Sequence, residues 1–240
     1  MRRVVMATVA VGVLSVAWWV PSVAGARVAE DGEAAKAPEA IVADAGQAMA
    51  QLSSVRLAGS ITSGAKRISL NIVSSHGSGG GTMAVNGARF TMVVVPPDVY
   101  MRSDAASWTK LAHNKVAGQL FAGKWLHTTT ADKDFGGLSN LFDLSTFTNT
   151  SSADGPITKG PIRSYRGTKA IPLADTVKGS VVYVAATGTP YVLGIVGTGK
   201  NRGEVVLSQF GTAKVPRAPR SSIDLSELEQ DANNGTGNNS

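Results

Sequence analysis

The sequence predicts an α+β fold in which one curved antiparallel sheet carries short helices on its concave side. Three observations predict it. Apolar residues alternate with a period of two through two long stretches, one beginning at Ser53 and one running from about Ile157 to Phe210. Helical periodicity occurs only before and between them. Every link between successive strands is too short for a parallel crossover.

The chain begins with Arg2 and Arg3, an apolar run from Val4 to Val20 and a helix-breaking Pro21. This is the pattern of a secretory signal, and the small Ala24 and Ala26 place cleavage after Ala26. A retained anchor is the rival reading, but the run falls short of the roughly 20 apolar residues that cross a bilayer. Residues 1–26 are therefore read as the signal. Residues 27–37, rich in Ala, Glu, Asp and Gly, read as a flexible linker.

Pro38 opens a helix whose apolar stripe is Ile41, Ala45, Ala48 and Leu52. From Ser53 the period drops to two. Val55, Leu57 and Ile61, then Ile68, Leu70 and Ile72, then Met83 and Val85, then Phe90, Met92 and Val94, then Val99 and Met101 mark about five strands. Asn86-Gly87 between two such runs is the strongest short hairpin signal, and Pro96-Pro97 breaks the next pair.

After Trp108 the period becomes helical again. His113 to Ala122 places Val116, Leu120 and Phe121 on one face, and Leu138 to Phe147 places Leu138, Leu141, Phe142 and Ser145 on another. Gly123-Lys124-Trp125 and Ala131 to Gly137 read as loops. Strands return at Val181 to Val184, Tyr191 to Leu193 and Val205 to Leu207. A short helical or extended piece follows near Ile223 to Leu228, and residues 229–240 read as a disordered tail. One domain over 38–228 results. Three short helices offer too little apolar surface to fill the concave face of so wide a sheet, so an apolar cavity is expected there.

Composition excludes several functions. No cysteine is present, hence no disulfide framework, thiolate nucleophile or thiolate metal site. Loss of Arg2 and Arg3 leaves 21 basic against 17 acidic residues, a mild net charge of +4. The basic residues are scattered without interleaved aromatic platforms, which speaks against nucleic acid and leaves room for transient contact with an anionic membrane surface. Gly194 to Lys200 matches the start of a phosphate-binding loop, but Asn201 stands where Ser or Thr should follow, and a strand follows in place of a helix. A hairpin turn is the better reading. His76, His113 and His127 have no imidazole partner at ligand spacing, so no metal is expected. His76 to Gly81 reads as a hairpin loop, and Asp132 and Asp134 as a solvated turn. No catalytic residue, cofactor or enzyme activity is expected.

Several blocks together resemble a known family. Pro38 to Ala45 followed by Ser53 to Gly59, then Asp98-Val99-Tyr100-Met101, Trp108-Thr109-Lys110-Leu111, Gly123-Lys124-Trp125-Leu126 and Val182-Tyr183-Val184-Ala185 are similar to successive signatures of the actinobacterial LppX/LprG-type lipoproteins and their LolA-like relatives. The resemblance implies a half-barrel of about ten or eleven strands, wide enough to enclose a ligand. It implies a carrier of acylated lipid, glycolipid or lipoprotein acyl chains; the signal pattern adds an envelope or secreted location, and a monomer is expected. The same fold also serves, by resemblance, as a sensor or assembly module that binds a partner protein. Ala26 stands where the lipobox cysteine would, so no lipid anchor can be attached to it. Cavity-lining candidates are Leu70, Met92, Val94, Met101, Leu120, Phe121, Leu141 and Phe142, with Trp108 and Trp125 at the rim, where an amphipathic ring faces both lipid and water.

Overall fold

The computed structural model describes residues 32–132, 142, 144, 156–175, 177, 179–198 and 201–227. Within them the order is α1 (Pro38–Ala50), β1 (Val55–Ser63), β2 (Lys66–Ser75), β3 (Ser78–Val85), β4 (Ala88–Val95), β5 (Asp98–Ser103), α2 (Ala105–Ala112), α3 (Lys115–Phe121), β6 (Trp125–Thr129), β7 (Ile157–Lys159), β8 (Arg163–Tyr165), β9 (Thr168–Asp175), β10 (Ser180–Ala185), β11 (Val192–Thr198), β12 (Asn201–Ser208) and β13 (Ile223–Asp224). All thirteen strands hydrogen-bond in one sheet, ordered β13-β6-β5-β4-β3-β2-β1-β12-β11-β10-β9-β7, with β8 also on β9. The two ends of that order do not pair, so the curved sheet stays open. Every neighbour is antiparallel except β13, which runs parallel to β6.

The count exceeds the ten or eleven expected because β7, β8 and β13 have only two or three residues each. Such pieces are too short to show alternation. Strand β6 begins at Trp125, inside a stretch expected to be loop. The helix expected at Leu138 to Phe147 lies outside the described residues apart from Phe142 and Leu144, both buried.

Turn chemistry sets the register of the meander. His76-Gly77, Asn86-Gly87 and Arg166-Gly167 each place two residues in succession at positive φ, between 41° and 86°, which is the backbone of the two-residue turn whose twist matches paired strands. Asn86 adds a side-chain bond: its carboxamide oxygen accepts from the Arg67 amide at 2.8 Å. Only His76 and Gly77 form the loop expected over His76 to Gly81. Ser78 to Gly81 lie in β3, where a Cβ on Gly79 would strike the Phe142 ring and one on Gly81 the Asn71 carbonyl oxygen. Glycine is used here so that a ring and a neighbouring strand can close onto β3.

Pro38 sits in the first turn of α1, where its missing N–H costs nothing. The helix buries Ile41, Ala45 and Met49 against β9 to β12, so Met49 takes the place expected for Ala48. Helix α2 was not visible as a helix in the sequence. Asp104 caps it by accepting from the Ser107 amide at 2.7 Å, and Trp108 is its one large buried side chain. Two apolar clusters result on the inner face. One joins α1 to Val55, Ile171, Leu173, Val184, Val192, Val205 and Leu207. The other gathers Phe90, Met92, Val94, Val99, Met101, Trp108, Leu126 and Phe142.

Candidate functional site

Between these two clusters the inner face carries apolar side chains that are only half-buried. Register places Val205, Gly59, Leu70, Met83 and Phe90 side by side across β12, β1, β2, β3 and β4. The next row holds Gly203, Ile61, Ile68, Val85 and Ala88. Because side chains alternate across a sheet, both rows point to the same side as the clusters. Gly59 and Gly203 add no side chain to that layer. A Cβ on either would run into the carbonyl oxygen of Glu204 or Ser60, so the close approach of β1 and β12 requires glycine at both positions. The consequence is a shallow spot floored by apolar groups: Leu57, Ile61, Ile68, Leu70 and Met83 are all only half-buried. Leu57 and Leu70 touch both clusters and form the bridge between them.

Of the residues expected to line a cavity, Leu70 stands in this hollow. Met92, Val94, Met101 and Phe142 are fully buried within the second cluster, packed by the chain's own side chains. Phe121 is half-buried against the same cluster. Leu141 lies outside the described residues. Three placements differ from expectation. Trp108 is buried in the cluster, its ring edge-on to Phe90 at 5.3 Å and to Phe121 at 6.4 Å, so it is not at a rim. Leu120 is exposed, because α3 turns Gly118 toward α2 and so points Leu120 away. Trp125 faces the outer side of the sheet, where Arg102 lies over its ring at 4.8 Å, and the following Leu126 takes the inner position. Leu57, Ile61, Ile68 and Met83 were recognised as strand residues but not as site residues. The available signal was the pair of glycines opposite them.

Two clefts outlined by described residues lie elsewhere. One, of about 550 Å³, opens beside Arg89, Thr91 and Arg102, and the other is a polar groove along α1 beside Lys36 and Asp44. Among the described residues, no helix is long and apolar enough to cross a membrane and no group of His, Asp or Glu has the arrangement of a metal site.

No protein-family model matches the sequence, and no curated protein matches it. Solved structures do. The Mycobacterium tuberculosis lipoprotein LppX superposes on 75% of this chain and 98% of its own with a TM-score of 0.50, at 13% identity. The chain has the LppX fold. LprF from Mycobacterium bovis follows with a TM-score of 0.48 at 11% identity, covering 75% of this chain and 96% of LprF. A conserved protein from Thermus thermophilus covers 79% of this chain and 99% of its own, with a TM-score of 0.40 at 10% identity.

A second arrangement on the LppX fold lies on the outer face and was invisible in the sequence. His127 of β6 is held between two carboxylates: its Nδ1 is 2.9 Å from Asp224 on β13 and its Nε2 is 2.9 Å from Asp98 on β5. The Tyr100 ring lies alongside the imidazole, with centroids 5.1 Å apart. Burial disfavours the charged imidazole, but the hydrogen bonds and charges of Asp98 and Asp224 outweigh it and raise the His127 pKa. Bonds from the Ser226 hydroxyl and from His127 hold the Asp224 carboxyl at about 2. The three groups fasten the short β13 to the sheet edge.

The pH dependence follows from these signs. The His127 contribution is complete below 6.5, its ordinary value, and is lost as pH rises through the raised one. The Asp224 contribution is complete above 3.8 and is lost as pH falls toward 2. Protection of the Ser226 amide against hydrogen exchange, corrected for intrinsic rates, is therefore expected to peak between those two limits and to fall on either side. The pair is partly solvated, so the effect is on the order of 1 kcal/mol, about a fivefold change. In His127→Ala the fall on the alkaline side should disappear.

Proposed function

We propose that this protein is an exported carrier that shelters the acyl chains of a lipid or lipoprotein against the inner face of its sheet and performs no reaction on them. The observation that carries the reading is the half-buried apolar floor of Leu57, Ile61, Ile68, Leu70 and Met83 between two closed clusters. Each methylene removed from water contributes about 0.8 kcal/mol, so an acyl chain that buries about ten methylenes gains roughly 8 kcal/mol. A carrier needs no more chemistry than that. The LppX fold supports the reading, as does the serial resemblance to LppX/LprG-type and LolA-like carriers. The N-terminal pattern, read as a signal cleaved after Ala26, supports a location outside the cytoplasmic membrane.

The test is organic extraction of the protein purified from its own host, followed by lipid mass spectrometry. Acyl lipid in stoichiometric amount is the expected result. A lipid-free protein that instead co-purifies with a stable protein partner would reject carriage and favour an assembly module of the same fold.

A further inference from the structure

The α2–α3 hairpin buries Trp108 and half-buries Phe121 but turns three other apolar side chains outward. In α3 the residue facing α2 is Gly118, whose added Cβ would strike the Thr109 hydroxyl and the Ala105 carbonyl oxygen. Val116 and Leu120 stand on the opposite side of the helix, since two residues of rotation carry a side chain about 200° around the axis. They are exposed by 73% and 52%, and Leu111, near the end of α2, by 51%. A helix stabilised only by burial would show the reverse pattern.

Between Asp104, at the base of α2 and within electrostatic reach of Lys110, and Asp132, the charge has one sign. From Ala105 to Ala131 the sequence contains Lys110, Lys115 and Lys124 and no acidic residue, and all three lysines are exposed. The patch extends onto the sheet. Lys110 approaches Gly87 in the β3–β4 turn, and the neighbouring Asn86 is bonded to the backbone of the exposed Arg67. This is also the end of the sheet at which Ile61 and Ile68 of the hollow lie, next to the β1–β2 turn.

We propose that the outward side of α3, with Val116 and Leu120 beside Lys115 and with Lys110 on the neighbouring α2, is a docking surface for an anionic lipid bilayer. Apolar side chains beside lysines match the interface of such a bilayer, where the chains enter the acyl boundary and the ammonium groups remain with the headgroups. The surface goes beyond the carrier reading and stands on its own residues. A protein could dock through it whether or not its hollow holds lipid.

The experiment is flotation of the exported protein with vesicles of phosphatidylglycerol and phosphatidylcholine in equal parts, against vesicles of phosphatidylcholine alone. The wild type is expected to float with the anionic vesicles only, and to be released by salt. Val116→Glu with Leu120→Glu should reduce the bound fraction at least tenfold, and Lys110→Gln with Lys115→Gln by roughly the same factor. Because all four side chains are exposed, thermal unfolding and extracted lipid content should match the wild type, which separates this test from that of bound lipid. The proposal is overturned if the wild type stays at the bottom of the gradient, if neutral vesicles float it equally well, or if the Glu variant floats as the wild type does. A dimer in sedimentation that dissolves in the Glu variant, without any vesicle binding, would assign the patch to a second copy of the chain and overturn it as well.

Discussion

Leu70→Glu is expected to empty the protein of acyl lipid while leaving it folded. Leu70 sits at the centre of the half-buried floor and touches both apolar clusters, so any chain laid across the hollow must pass over it. In the empty protein the introduced carboxylate stays in contact with water, which limits the damage to the fold. With an acyl chain in place that water is gone, and burying a charge without a partner is strongly unfavourable. Affinity should fall by roughly a hundredfold or more. Leu70→Met, which conserves volume and apolarity, should bind nearly as the wild type does. Lipid mass spectrometry on the three proteins checks both statements.

The largest stability loss is expected for Phe142→Ala. Phe142 is completely buried and, among the described residues, is the largest of the fully buried side chains. Its ring lies over Gly79, a position cleared for it by the absence of a Cβ. Its backbone is pinned independently, since the carbonyl oxygen accepts from the Ser74 hydroxyl at 2.7 Å and from the Gly77 amide at 2.9 Å. With the main chain tied to the β2–β3 turn, the surroundings cannot collapse into the space left by the ring. A loss of about 3–5 kcal/mol follows, toward the upper end of the range for Phe to Ala. Urea unfolding should show this as a lower midpoint with little change in slope.

The meander was legible in the sequence because its register is written locally. Asn86-Gly87 and the alternation on either side of it specify β3 and β4, and the substitution of Asn201 in the phosphate-loop pattern correctly pointed to a hairpin between β11 and β12. What periodicity could not supply was the direction of a face. Val116, Leu120 and Phe121 form a helical stripe, but only the packing of Gly118 against α2 decides that Val116 and Leu120 point outward. Trp125 and Leu126 show the same limit in a strand, where a shift of one residue exchanges the two sides of the sheet. Helix α2 has too few apolar residues to show a period, and its one clear mark was the capping Asp104.

The site was legible to a smaller degree. Alternation put Leu70 among the candidates, whereas the half-buried positions around it depend on which residues face Gly59 and Gly203 across three strands. The clasp of His127 with Asp98 and Asp224 spans 29 and 97 residues of sequence, a separation that no motif records. Both features arise from pairing, and pairing is what a single sequence does not display.

Where hydrocarbon rests can be asked of the molecule itself with a fatty acyl chain carrying a photoactivatable diazirine near its end. After irradiation, peptide mass spectrometry should find the label on the β1, β2 and β3 segments that hold Ile61, Leu70 and Met83, and unlabelled fatty acid in excess should remove it. Label confined to the outer face, or spread over the surface and indifferent to competitor, would contradict the assignment of the inner face as the seat of the lipid.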